Sequence, residues 1–358
     1  MIVVIADDFT GAAELAGISL RFGLTVELCV GEVQYKNADV LVVSTDSRSL
    51  TKQAALQKTE DVIKDVLQLH PSFIYKKIDS VLRGYVIDEI KLHMQWMDKQ
   101  KAIIMPANPT LDRIINKGEY FVNGIKINET GFAKDPEFPV NSSLIQEILN
   151  NEVEVVDLKK TLPDEGIVVG EADSSGDYNE WVKRIDENWV LAGAGDFYHA
   201  VLHKKCQIKD KEVCKLESPL LYVCGTAFET RRQFVKSLDC VAYMPAAITE
   251  EWLQQTRTVI QQQNKLVIAI DESNETASAL RKKMVIAVNE IVARENVKEI
   301  FIEGGSTAAA ILEELKITRL IPVNELSRGV VRAEGGDLFI TVKPGSYALP
   351  EEIKELFS

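Results

Sequence analysis

The chain has no apolar run long enough to cross a bilayer and no basic segment in residues 1–20, where the hydrophobic stretch is broken by Asp7-Asp8. Neither a membrane span nor a signal peptide is expected, and a cytoplasmic protein is. Positive charge is short as well: 41 Lys and Arg face 54 Asp and Glu, a formal net charge of −13. A field of that sign repels nucleic acid and anionic membranes, so any phosphate must be met in a local pocket. Cys29, Cys206, Cys214, Cys224 and Cys240 form no C-x-x-C pair, and an odd count in such a chain reads as reduced thiols serving as small apolar fillers. With four scattered histidines, neither Ser-His-Asp nor Cys-His catalysis can be assembled. His199 and His203 stand at i, i+4 near Cys206, the spacing of a two-ligand metal face, but no acidic motif accompanies them and no metal site is assigned. Two nucleotide fingerprints are also missing. No G-x-x-x-x-G-K-[ST] occurs, and Gly193-Ala-Gly195-Asp lacks the third glycine of a dinucleotide loop, which argues against a P-loop NTPase and a Rossmann dehydrogenase.

What is present is an alternation of short apolar runs with longer amphipathic stretches, the pattern of strands and helices around largely parallel sheets. At 358 residues, 46% of them apolar, the chain can bury a full core and is expected to divide in two. Strands are predicted at Ile2–Ala6, Thr25–Val30, Asp39–Ser44, Phe73–Ile78, Ala102–Met105, Val153–Asp157, Gly166–Val169 and Trp189–Ala192, with helices near 10–22, 51–69, 84–97, 141–150 and 177–187. A second set follows, with strands near Leu220–Cys224, Cys240–Met244, Lys265–Ile270, Glu299–Glu303 and Asp337–Val342. Between them the charged stretch His203–Pro219 loses apolar periodicity and ends in a turn signal. The expectation is therefore an α/β protein of two α/β domains with largely parallel sheets and an interdomain cleft: residues 1–205, a linker at 206–217, and residues 218–358. Pro106–Pro136 interrupts the rhythm with Pro, Gly and Asn, and its Val122-Asn-Gly-Ile125 core predicts a hairpin. The acidic, glutamine-rich stretch Glu250–Asn264 reads as a solvated helix face.

Two groups of strand-to-helix corners look built for anions. The first comprises Asp7-Asp8-Phe9-Thr10-Gly11 after Ile2–Ala6 and Asp79-Ser80-Val-Leu-Arg83-Gly84 after Phe73–Ile78; the second is Gly304-Gly305-Ser306-Thr307 after Glu299–Glu303. Such loops direct unpaired N–H groups and a helix dipole at one point. Two of them suggest two ligands and a transfer between them. Gly304 and Gly305 allow close backbone approach to phosphate, Ser306 and Thr307 can donate, and Lys343-Pro-Gly345 adds a glycine turn and a cation after the last predicted strand. Asp7-Asp8 can also cap the helix that follows. Lys76 is expected to be a solvated flank.

These motifs, with Thr45-Asp46-Ser47-Arg48 and Lys76-Lys77-Ile78-Asp79-Ser80-Val81-Leu82-Arg83-Gly84, resemble in order and over nearly the whole chain the motif series of the four-carbon acid sugar kinases. The resemblance implies an N-terminal sugar-acid domain, a C-terminal nucleotide domain, ATP with Mg²⁺, and phosphorylation of a terminal hydroxyl of threonate, erythronate or 3-oxo-tetronate. It also matches Thr226 to a family serine that contacts ATP. The family's third motif reads Pro-Ala-x-Pro-x-x-Gly-Arg where this chain has Leu111-Asp112-Arg113, and its second has asparagine where this chain has Tyr85. A sugar acid needs cations and hydrogen-bond acceptors. Arg48, Lys77 and Arg83 would supply the former, Asp7, Asp8 and Asp79 the latter, with Ser80 beside them. Asp79 and the Asp7-Asp8 pair compete for the role of base. A kinase of another small hydroxy acid and a non-catalytic sensor of sugar acid or nucleotide are the alternatives.

Overall fold

The computed structural model describes residues 1–135, 137–204, 206–208, 215–225, 229–271, 275–345 and 347–357. In chain order the strands of the first part are β1 (Ile2–Ala6), β2 (Val26–Val30), β3 (Val40–Ser44), β4 (Phe73–Lys77), β5 (Lys101–Met105), β6 (Arg113–Asn116), β7 (Glu119–Val122), β8 (Ile125–Lys126), β9 (Glu154–Val156), β10 (Gly166–Gly170) and β11 (Trp189–Gly193). The later strands are β12 (Leu220–Cys224), β13 (Val241–Tyr243), β14 (Lys265–Ala269), β15 (Glu299–Glu303), β16 (Arg319–Ser327), β17 (Val330–Gly335) and β18 (Leu338–Lys343). The helices are α1 (Phe9–Arg21), α2 (Lys52–Leu67), α3 (Val86–Trp96), α4 (Ile145–Ile148), α5 (Ser175–Arg184), α6 (Gly195–His203), α7 (Glu229–Lys236), α8 (Glu250–Gln263), α9 (Ala277–Arg294), α10 (Gly305–Glu314) and α11 (Glu351–Phe357).

All strands but three join one sheet of 15, ordered β13-β14-β12-β15-β18-β17-β16-β2-β3-β1-β4-β11-β5-β10-β9. Parallel sets lie on either side, β2 through β9 and β13 through β18 in that order, and the fully apolar runs Val3–Ala6, Val40–Val43 and Leu220–Val223 are buried as two-sided strands require. The sets are stitched by β16 and β17. β17 runs against β18, β16 against β17, and β16 against β2 through Arg319↔Cys29 and Leu320↔Leu28, so the two parallel sets run in opposite directions. Helix α1 spans the seam, where its Gly17 is so close to the bridging strands that a Cβ would meet Val331 Cγ2 at 2.8 Å and Glu325 Oε1 at 2.9 Å.

Where elements were predicted, the observed ones agree over most of the chain. Helix α4 is a single turn, helices α7, α9 and α11 are additional, and so are the bridging strands β16 and β17. Their sequences hide them. β16 contains Pro322 and register shifts, and β17 buries Arg332 against Glu299 at 2.9 Å, so neither shows an unbroken apolar or alternating run. The hairpin at Val122–Ile125 forms as expected, with Asn123 at φ 52° and Gly124 at φ 75°. Helix α8 does present a solvated face, while Trp252, Leu253 and Ile260 are buried on the other. Lys76 is a correction. It is fully buried, its Nζ 2.5 Å from Glu89 Oε2, because β4 is central in the sheet and α3 brings a carboxylate onto the lysine's face. Among the described residues, no helix is long and apolar enough to cross a membrane.

Candidate active site

The first corner forms where β1, β3 and β4 end together. Asp7 and Asp8 leave β1, Arg48 follows β3, and Asp79, Ser80 and Arg83 follow β4. Asp8 is the N-cap of α1, in extended conformation at φ −140°, and accepts Gly11 N–H at 3.2 Å and the Thr10 hydroxyl at 2.5 Å. Arg48 donates from Nε to Asp7 Oδ2 at 2.8 Å, and from Nη2 to Asp7 Oδ1 at 3.0 Å and Asp8 Oδ1 at 2.8 Å. Its Nη1 is 3.6 Å from Asp79 Oδ1. Arg83 forks onto Asp79 with two bonds of 2.9 Å and reaches Asp135 Oδ2 at 3.1 Å. Gly84, at φ 95°, leaves room beside Asp7: a Cβ there would stand 3.3 Å from Asp7 Oδ2.

The electrostatics follow from these contacts. Burial alone would raise the Asp79 carboxyl, but Arg48, the bonds from Arg83 and the charge of Lys77 hold it far below the usual range. Burial acts on Asp8 in the same sense, and Arg48, Lys77 and the Thr10 hydroxyl outweigh it, so its value is also lowered. Asp8 is the most accessible of the three carboxylates, 20% exposed against 6% for Asp7 and 9% for Asp79. Lys77 is almost closed off: Nζ donates to the Ile78 carbonyl at 2.8 Å and lies 3.8 Å from Glu14. Ser80 Oγ accepts from Arg113 Nη1, and the Tyr120 hydroxyl donates to the Ser80 carbonyl at 2.6 Å.

The second corner forms at the carboxyl ends of β12, β14 and β15. Gly304, at φ 112°, turns the chain into α10, whose N-terminus has no side-chain cap among the described residues. Beside it lies a cavity of about 280 Å³ lined by Gly225, Arg232, Ile270, Asp271, Arg281, Ser306 and Thr307, among others. A Cβ at Gly225 would meet Thr307 Oγ1 at 2.5 Å, which fixes the two loops against each other. This is where open α/β sheets place ligands. Gly345 follows β18, but the Lys343 ammonium is turned inward. It donates to Glu303 Oε1 at 2.8 Å and to the Pro344 carbonyl at 2.7 Å, and the same Glu303 accepts Tyr222 and Arg231. Its charge is spent inside the fold. Thr226 lies outside the described residues.

The two corners meet. A Cβ at Gly305 would lie 2.7 Å from Thr10 Cγ2, and the Thr10 hydroxyl in turn holds Asp8. The fold therefore gathers Asp7, Asp8, Arg48, Lys77, Asp79, Ser80 and Arg83 around one point and Gly304, Gly305, Ser306 and Thr307 around the next. Glu14, Asp135 and Tyr347 join them, with no signal in the sequence, as do Thr10 and Arg113 from motifs in which they carried no assigned role. Tyr347 donates to Glu14 Oε1 at 3.2 Å across the seam, and burial and Glu14 raise its phenol while Arg113 and Arg328 oppose them. Among the described residues, no cluster of three His, Cys, Asp or Glu could hold a metal ion. His199 and His203 stack on one another with ring centroids 6.2 Å apart.

A family profile described as the sugar-binding N-terminal domain matches residues 2–181. A D-threonate kinase of Salmonella typhimurium is 25% identical, the alignment covering 96% of this chain and 95% of the relative. A 3-oxo-tetronate kinase of Brucella melitensis is 23% identical over 96% of this chain and 92% of its own length. In fold, the chain superposes on a crystal structure from Salmonella typhimurium LT2 with a TM-score of 0.84 at 17% identity, covering 99% of this chain and 98% of the other.

Proposed function

Since the chain belongs to the four-carbon acid sugar kinase family, we propose that it transfers the terminal phosphoryl group of ATP to the terminal hydroxyl of a four-carbon sugar acid. The observation that carries this reading is the contact between Thr10 and Gly305, which sets a hydroxyl-accepting carboxylate beside a helix N-terminus with no side-chain cap among the described residues. The cavity beside α10 fits a nucleotide's phosphates. Gly304, Gly305, Ser306, Thr307 and Gly345 would hold them by backbone and hydroxyl donors, with Thr226 as a further candidate from the resemblance and Arg232 and Arg281 as cations in reach. ATP, with Mg²⁺ travelling on it, supplies the phosphoryl group and the ion offsets part of its charge.

The remaining chemistry belongs to this chain's residues. Asp7, Arg48, Asp79 and Arg83 form an interlocked frame that presents fixed acceptors and donors to the substrate's hydroxyls. Asp79 already takes two bonds from Arg83 and two from the backbone at Val81 and Arg83, so it has little capacity left for a reacting hydroxyl. Asp8 is more exposed and closer to the glycine corner through Thr10. It is our choice for the carboxylate that orients the attacking hydroxyl and accepts its proton late. Residues 1–205 and 218–358 act as two domains meeting at a cleft whose closure excludes water.

The test is ADP release, coupled to a detection system, with D- and L-threonate, D- and L-erythronate, their 3-oxo forms and larger aldonates. Turnover with at least one four-carbon acid is expected. Turnover confined to a larger aldonate moves the substrate class, and none with any acid leaves only a sensor.

A further inference from the structure

The cations expected to receive a substrate carboxylate are already occupied. Arg48 is bonded to Asp7 and Asp8 and faces Asp79; Arg83 is bonded to Asp79 and Asp135; Lys77 is 4% exposed and faces Glu14. A carboxylate arriving at any of them would have to displace a built-in partner and would stand against several like charges. Arg113 differs. Among the described residues its guanidinium faces no carboxylate within ion-pair distance, and its hydrogen bond goes to the Ser80 hydroxyl. It is half-buried, which makes its bonds to an anion stronger than a fully solvated arginine's.

Its position is built. The loop Asn108–Arg113 is closed by Asn108 N–H to the Arg113 carbonyl at 2.7 Å, and Asp112 turns the chain through φ 51° into β6. Phe132 supports the side chain, with the guanidinium 5.7 Å from the ring centroid, and the same ring lies 5.6 Å from Arg83. Arg113 therefore stands beside the frame of Asp79 and Arg83, on the irregular segment that sequence alone marks as an insertion.

Resting on the kinase reading above, we propose that Arg113 is the residue that grips the substrate's carboxylate, with the Ser80 hydroxyl as its companion donor, and that Arg48 and Arg83 instead shape the acceptors for the hydroxyls. Arg113 then selects sugar acids over the corresponding neutral polyols and amides. A planar fork suits this task better than a point charge.

The experiment measures binding by calorimetry and turnover by ADP release, for the parent and for Arg113→Gln and Arg113→Lys, with each acid of the panel and its primary amide. The parent is expected to prefer acid to amide. Arg113→Gln should weaken acid binding about ten- to hundredfold while changing amide binding little, so that the preference collapses, and Arg113→Lys should recover part of it. Unfolding curves matching the parent's keep the comparison one of binding. Undiminished acid preference in Arg113→Gln overturns the inference and leaves the kinase reading standing. Acid binding that depends on Arg113 without any turnover supports the inference and removes the kinase reading. A parent that binds none of the acids overturns both.

Discussion

Asp8 and Asp79 are both aspartates at strand ends among the same cations, and their surroundings divide their roles. Asparagine caps a helix about as well as aspartate, so Asp8→Asn keeps the start of α1 and removes only the charge. Turnover should fall about a hundredfold or more, while losing the charge beside Arg48 lowers the unfolding midpoint less than the same change at the less accessible Asp79. Asp79→Asn removes the carboxylate shared by Arg83 and Arg48. Breaking so buried a pairing should cost about 2–4 kcal/mol of stability, lost turnover following from a damaged frame. Both carboxylates have folded values below the ordinary 3.8. The stability they contribute is complete above that value and is lost as the pH falls through the folded values, so Asp79→Asn should flatten the parent's acid unfolding. Should Asp79→Asn keep full stability and lose turnover while Asp8→Asn stays active, the base is Asp79. The residue types of this site were legible in the sequence because each follows a strand end. Which cations remain open was not, since that depends on partners such as Asp135 and Glu14, one distant in sequence from Arg83 and the other from Lys77.

At the level of elements, the strands and helices that carry the two corners were legible because their apolar runs and caps agree with their final positions. The misreadings at Lys76 and at β17 share a cause: polar residues buried against partners that only the fold supplies. Lys76 is the clearest case, and it opens onto a testable seam between β4 and α3. Glu89 accepts Lys76 together with Ser47 at 3.0 Å and Thr59 at 3.2 Å, and one turn further along α3 His93 is fully buried with neither ring nitrogen hydrogen-bonded among the described residues. Burial, and then the charge of Lys76, push His93 well below its usual 6.5. Above that pH folded and unfolded chains carry the same neutral ring. Below it the unfolded chain binds a proton that the folded one refuses, so stability declines as the pH falls. Urea unfolding at pH 7.5 and 5.5 should show about 1.4 kcal/mol lost from this group. His93→Phe should remove that part of the difference; an equal loss in the variant would place the titration elsewhere.

Across the whole molecule, the two parallel sets meet at more than the β16–β2 ladder. Arg328, in the turn between β16 and β17, reaches the other set: Nη2 donates to Asp196 Oδ1 at 2.9 Å and Asn108 Oδ1 at 3.0 Å, and Nη1 to Thr110 Oγ1. Thr110 is itself fixed to Asp196 through its N–H at 2.9 Å. If closure accompanies transfer, this clamp favours the arrangement in which Thr10 touches Gly305, and its contribution is to the equilibrium between arrangements and not to either site alone. Hydrogen bonds to charged groups contribute about 1.5–3 kcal/mol, and exposure of the Arg328 side chain, 27%, reduces that figure. Arg328→Ala should therefore lower kcat/KM by about tenfold while sugar-acid binding and nucleotide binding, each measured alone by calorimetry, stay close to the parent's. X-ray scattering should show a larger radius of gyration for the unliganded variant, and the two ligands added together should restore most of the difference. An unchanged radius with unchanged kcat/KM would mean that the ladder between β16 and β2 and the packing of α1 hold the two sets together without the clamp. Loss of sugar-acid binding alone would instead place Arg328 among the residues that shape the acid pocket.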